Sequence, residues 1–129
     1  MRMTLALALS AALVAVSCGK PARPAAPVAL ARANPYELEV GKKVYQSYCV
    51  GCHGDAGAGD GFNSFNLDPH PRDLADPAFQ KKRTNAELAD AIRRGGAGVG
   101  LTSLMPPWGH TLDDQHINDV VLYVRSLRR

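Results

Sequence analysis

Cys49, Cys52 and His53 fall within five consecutive positions, in the stretch YCVGCHGDAG. Closely spaced cysteines serve three chemistries: zinc ligation, dithiol redox exchange, and covalent anchoring of a cofactor. A zinc site needs two more ligands at matching spacing. His70, His110 and His116 are scattered, and no second cysteine pair follows. A thioredoxin-type pair stands in a β-α-β context after a strand, whereas the residues before Cys49 carry a helical pattern. The third chemistry has the signature Cys-x-x-Cys-His, and residues 49–53 match it. That signature is for haem: two thiols at this separation add across the two vinyl groups of the ring. The adjacent His53 then lies under the ring, where its imidazole can bind iron.

A second axial ligand has one methionine to draw on. Met1 and Met3 lie in the extreme N-terminal segment, which leaves Met105. It stands in LMPPWG, where Pro106 and Pro107 argue against a packed helix position and fix the backbone after the sulfur. Loops are where ligands are delivered, although methionine also serves as core filler. Ligation by His70 or His110 is the rival reading.

The elements that must hold these groups are helical. Asn34, Pro35 and Glu37 form a capping box with proline in the first turn. Leu38, Gly41, Tyr45 and Tyr48 then recur at intervals of three and four, lining one face of a helix that runs into Cys49. Residues 54–73 are rich in Gly, Asp and Pro without a period, which predicts a long surface loop. A loop of that length in a small domain is expected to wrap something. Two short helices follow, capped by Asp76 before Pro77 and by Thr84 with Glu87, the second ended by Gly95. The last helix is predicted to open with a box from Thr111 to Asp114. It buries Ile117, Val120, Val121, Val124 and Leu127, while Arg125, Arg128 and Arg129 suit its C-terminal dipole. No strand is predicted. A few helices with glycine-rich loops cannot easily enclose a core of their own in a domain this small, so a cofactor is expected to fill the centre.

The chain has 129 residues, room for one domain and two appendages. Residues 1–17, with Arg2 before an apolar Ala-rich run, read as a secretory signal peptide, too short for a membrane span. Cys18 closes the segment AVSC and resembles a lipobox cysteine, with Ala15 departing from the usual leucine; acylation would also account for an odd thiol in an exported chain. Residues 18–33 then form the lipid-anchor cysteine and a Pro/Ala-rich linker. Export to the periplasm follows on either reading, with the membrane held through lipidated Cys18 and simple signal cleavage as the competitor. The net charge of +3 and the lack of a basic run interleaved with aromatics give no ground for nucleic-acid binding. His116 reads as surface, and the run QKKR as a solvated helix end.

Residues 34–129, on CVGCH, the helix before it and the methionine loop, resemble a class I c-type cytochrome, the monohaem family that includes mitochondrial cytochrome c. The resemblance implies an all-α fold of three to four helices and long loops around one covalently bound haem c, with His53 and Met105 as axial ligands. It implies a crossing of the first and last helices, with Gly41 and Tyr45 matching one side and Val120 and Tyr123 the other. A proline carbonyl in the loop, Pro71 with Pro69 as alternative, is expected to accept the imidazole N–H. Arg72 and Trp108 are expected near the haem propionates. The function implied is that of a one-electron carrier with no substrate chemistry, passing electrons between a redox protein donor and acceptor. A haem-bearing subunit fixed in a larger respiratory complex is the first alternative. An enzyme or sensor with an open iron site is the second, and requires Met105 to be unbound.

Overall fold

The computed structural model describes residues 33–129. Among them every regular element is helical. In chain order these are α1 (Pro35–Tyr48), α2 (Val50–His53), a 3-10 turn (Phe62–Asn66), α3 (Pro77–Lys82), α4 (Asn85–Gly98) and α5 (Asp114–Ser126). The expected all-α class and the caps at Asn34, Asp76 and Thr84 are found as read, with full capping boxes on α1 and α4. The cap of α5 is not Thr111. Asp113 takes that place, its carboxylate accepting from the His116 N–H at 2.9 Å, because an aspartate one residue before the helix outcompetes a hydroxyl two residues further back. The loop over residues 54–73 is not wholly irregular, since it contains the 3-10 turn. Readings that fall on residues 1–32, including the signal, Cys18 and most of the linker, lie outside the described residues. Among the described residues no helix is long and apolar enough to cross a membrane.

The frame is the crossing of α1 on α5. Gly41 lies so close to α5 that a Cβ there would stand 2.0 Å from the Asp119 carbonyl oxygen. The close approach lets Tyr45 pack on α5, its ring 5.2 Å from that of Tyr123 and tilted by 55°. Ile117, Val120 and Val121 are essentially without exposure, and burying each such side chain contributes about 1.5–3 kcal/mol. Leu88 and Ile92 of α4 close the core from the other side.

Arg125 does not act as a surface charge at a helix end. Its guanidinium turns back to donate to Asn85 Oδ1 at 2.7 Å, to the Gln80 carbonyl at 2.6 Å, to Gln80 Oε1 at 2.7 Å, and to the Arg83 carbonyl. Buried Gln80 in turn donates to the carbonyls of Leu74 and Val124. One side chain thus ties α5 to the junction of α3 and α4 and satisfies the last carbonyls of α3. Arg125→Ala removes all four bonds and strands Gln80 Oε1, so a loss of about 2–4 kcal/mol is expected. Thermal melts of this variant beside exposed Arg128→Ala check it. The second is expected within about 0.5 kcal/mol of the parent, and equal melting of the two would overturn the assignment.

Candidate functional site

The site begins where α1 ends. The Cys49 N–H still bonds the Tyr45 carbonyl at 2.8 Å, and the chain then tightens at once into α2. Cys49, Cys52 and His53 occupy that single turn, with the Cys52 and His53 N–H groups both on the Cys49 carbonyl. Gly51 and Gly61 let the following loop fold against it: a Cβ on Gly61 would meet the Gly51 oxygen at 2.4 Å. Tyr45, fully buried, donates its hydroxyl to the Gly54 carbonyl at 2.7 Å and so ties the far side of the turn to α1. Burial pushes the pKa of that hydroxyl up, so it stays a donor.

Cys49 and Cys52 are free thiols, not a disulfide. Burial, reinforced by neighbouring Cys52, pushes the Cys49 thiol up to about 12. A redox-active cysteine needs the opposite shift, toward thiolate, so the dithiol-exchange reading loses its footing. The zinc reading fares no better: among the described residues no group of three His, Cys, Asp or Glu side chains is arranged to hold a metal ion.

His53 is oriented by one contact. Its Nδ1 lies 3.0 Å from the Arg72 carbonyl; a carbonyl can only accept, so Nδ1 carries the proton and Nε2 keeps its lone pair. Burial lowers the pKa of the ring, and the Arg72 carbonyl opposes this in part. The imidazole is therefore set as a neutral ligand nitrogen. Here the sequence reading is corrected: the acceptor is the carbonyl of Arg72, not that of Pro71 or Pro69. The Pro71 oxygen is instead turned toward Gly59, where an added Cβ would meet it at 2.4 Å.

These groups open onto a cavity of about 730 Å³. Tyr45, Cys49 and His53 form one wall; Leu74 and Phe79 form another, with Leu88 and Ile92 of α4 adjoining. Met105 reaches the same cavity from the loop between α4 and α5, as do Val99 and Leu101. Arg72 lines it as well, its guanidinium 5.7 Å from the centre of the Phe79 ring. The rival ligands His70 and His110 are exposed and not among the lining residues. Neither are Cys52, Pro71 and Trp108. Trp108 packs on Tyr48 of α1, ring centres 5.0 Å apart, and against the core. A cavity with an apolar floor, charged side chains such as Lys82 and Glu87 also at its walls, and a free thiol, a neutral imidazole and a thioether facing it fits a haem. The size lies within the range of cofactor pockets.

Helices crossing at Gly41, a CxxCH turn on the end of the first, and a methionine loop before the last define a class I c-type cytochrome domain. Residues 37–124 match the family model of cytochrome c oxidase, cbb3-type, subunit III. The chain belongs to that family. It is 34% identical to the cbb3-type cytochrome c oxidase subunit FixP of Bradyrhizobium diazoefficiens over 71% of this chain and 28% of that protein. With the subunit CcoP of an Azospirillum species it shares 32% identity, over 74% of this chain and 30% of the relative. The chain thus spans less than a third of the length of these curated relatives. Among solved structures, the Kuenenia stuttgartiensis reducing HAO-like protein complex superposes with TM-score 0.59 at 29% identity, over 70% of this chain and 42% of that one. The KustC0563 c-type cytochrome gives TM-score 0.53 at 25% identity, over 69% of this chain and 98% of that one.

Proposed function

We propose that this domain relays single electrons through one covalently attached haem c, as a haem-bearing part of a membrane-bound respiratory complex. The observation that carries the haem reading is the meeting of Cys49, His53 and Met105 on one cavity. Cys49 and Cys52 would hold the haem through thioether links, and His53 Nε2 and the Met105 sulfur would bind its iron. The haem supplies a one-electron couple, and the chain does the rest. The Arg72 carbonyl holds the His53 tautomer. With the haem bound, the Met105 thioether would favour the reduced form and raise the potential. Two protein ligands would then leave no open position for substrate chemistry. The Arg72 guanidinium at the cavity wall offers positive charge to an anionic edge of the cofactor. Export through residues 1–17 and anchoring through Cys18 belong to the same proposal, since covalent attachment takes place outside the cytoplasm.

The complex-bound role draws its support from the similarity to FixP and CcoP, both named as oxidase subunits. A self-standing carrier is the second reading, favoured by the match to nearly the whole of the KustC0563 cytochrome chain. The test is expression beside haem-attachment machinery, followed by purification in mild detergent. One haem per chain is expected to survive denaturation and acid extraction, and to be lost in the Cys49→Ser, Cys52→Ser double variant. Extractable haem, or none, would sink the covalent site. Co-purification of other oxidase subunits supports the complex, and a chain that comes away alone supports the carrier.

A further inference from the structure

The geometry points to the Gly95–Gly96 pair as the positioning element of the methionine loop: it makes that loop the C-terminal cap of α4, so that Met105 leaves the cavity only if the end of α4 comes undone. The inference rests on Met105 as an axial ligand. Helix ends leave their last carbonyls without intrahelical partners. Here the loop around Met105 supplies them. The Trp108 N–H donates to the Ile92 carbonyl at 3.0 Å and the Gly109 N–H to the Arg93 carbonyl at 3.0 Å. In the other direction the Gly96 N–H donates to the carbonyl of Met105 itself at 2.9 Å, and the Leu101 N–H returns to the Gly96 carbonyl at 2.9 Å. Met105 is therefore bracketed by main-chain bonds on both sides, all of them to residues 92–96.

Side chains at the two glycines would forbid this arrangement. Gly95 has φ of 68°, a left-handed conformation that interrupts α4 and disfavours any residue with a Cβ. A Cβ there would stand 2.7 Å from the Met105 oxygen and 2.8 Å from the Pro106 carbonyl carbon. At Gly96 it would stand 2.0 Å from the Thr102 oxygen. Backbone is what these atoms would strike, so nothing yields except the loop. Gly100 supplies the contrast: it lines the cavity and its φ is 75°, equally left-handed, yet no protein atom lies within 4 Å of an added Cβ. Backbone strain is shared by Gly95→Ala and Gly100→Ala; displacement of the methionine loop belongs to Gly95 and Gly96.

The experiment uses the haem-loaded chain in its oxidised form, with imidazole as competing ligand. Gly95→Ala and Gly96→Ala are expected to weaken the long-wavelength band of the thioether–iron bond. They should also speed imidazole binding by about tenfold or more, with haem still covalently attached. Gly100→Ala is expected to stay within about twofold of the parent, being strained without a clash. If both Gly95 and Gly96 variants bind imidazole like the parent, or if Gly100→Ala speeds it as much as they do, the cap is not what holds Met105. Met105→Ala in the same series separates the two levels. A variant that changes the band while the glycine variants do not leaves the ligand standing and removes the cap. Should Met105→Ala match the parent, ligand and cap fall together. If neither alanine variant yields folded holoprotein, amide hydrogen exchange of the parent takes over, since displacement of Met105 by imidazole must then release the Gly96, Trp108 and Gly109 N–H groups. Exchange at these amides about tenfold faster with saturating imidazole supports the cap, and unchanged protection overturns it.

Discussion

Met105→Ala, loaded with haem, is expected to change the spin state of the oxidised protein and to lower its reduction potential by on the order of 0.1 V or more, within the span of roughly 0.8 V that axial ligands command. The direction follows from the thioether, a soft donor that favours the reduced state; without it that preference goes. Met105 is the cavity-lining methionine, and the rival side chains His70 and His110 stand exposed elsewhere. The lining side chains beside it on the loop, Val99 and Leu101, offer no lone pair, so the loop itself supplies no substitute. Leu104→Ala is the control: the residue is 42% exposed and adjoins Met105 in sequence, so any loss through general loosening of the loop appears there too. Spectra of both oxidation states and a potentiometric titration read the result. An unchanged spin state and potential in Met105→Ala would remove Met105 from the coordination sphere and reopen the enzyme or sensor reading.

The parts of this site that could be read in advance are those encoded by side chains at fixed spacing. CVGCH is such a code, as are the boxes Asn34–Glu37 and Thr84–Glu87, while the crossing of Gly41 and Tyr45 on Val120 and Tyr123 follows from the resemblance to class I cytochromes. What the sequence hid depends on main-chain atoms. The orienting acceptor for His53 is a carbonyl, and every residue has one, so no residue type marked Arg72 rather than Pro71. The main-chain bonds around Met105 carry no side-chain signature either; two adjacent glycines are the signal, and sequence alone reads only Gly95, as a helix stop. The structure agrees in part, since Gly95 breaks the geometry while the chain resumes a further turn to Gly98. Arg125 misled for a different reason. A basic residue in a last turn suits the helix dipole on general grounds, but its contacts lie more than forty positions away at Gln80 and Arg83. Local pattern has no view of a partner at that range.

The same distinction governs the crossing that carries the site, where a local preference and a tertiary contact oppose each other. Gly41→Ala adds one methyl group to the middle of α1. Helix propensity alone favours alanine there by about 1 kcal/mol, and at an exposed position the variant would be stabilised. Against this stands a Cβ 2.0 Å from the Asp119 oxygen and 2.5 Å from its carbonyl carbon, a collision with the backbone of α5 that no rotamer relieves. Overpacking of this kind costs about 1–3 kcal/mol and more where backbone must move. The collision is expected to win by about 2 kcal/mol, lowering the melting temperature of the holoprotein by roughly 8–16 °C. Lys42→Ala, one position along on the exposed face, is expected to leave it within about 0.5 kcal/mol of the parent. The loss should not stop at stability. Parting α1 from α5 shifts Tyr45, whose hydroxyl fixes the Gly54 carbonyl, and with it the turn that presents Cys49 and His53. The yield of haem-loaded protein is therefore expected to fall with the melting temperature. A Gly41→Ala protein that melts at or above the parent would mean that the two helices do not meet at this glycine, and the wall of the cavity would have to be rebuilt around a different contact.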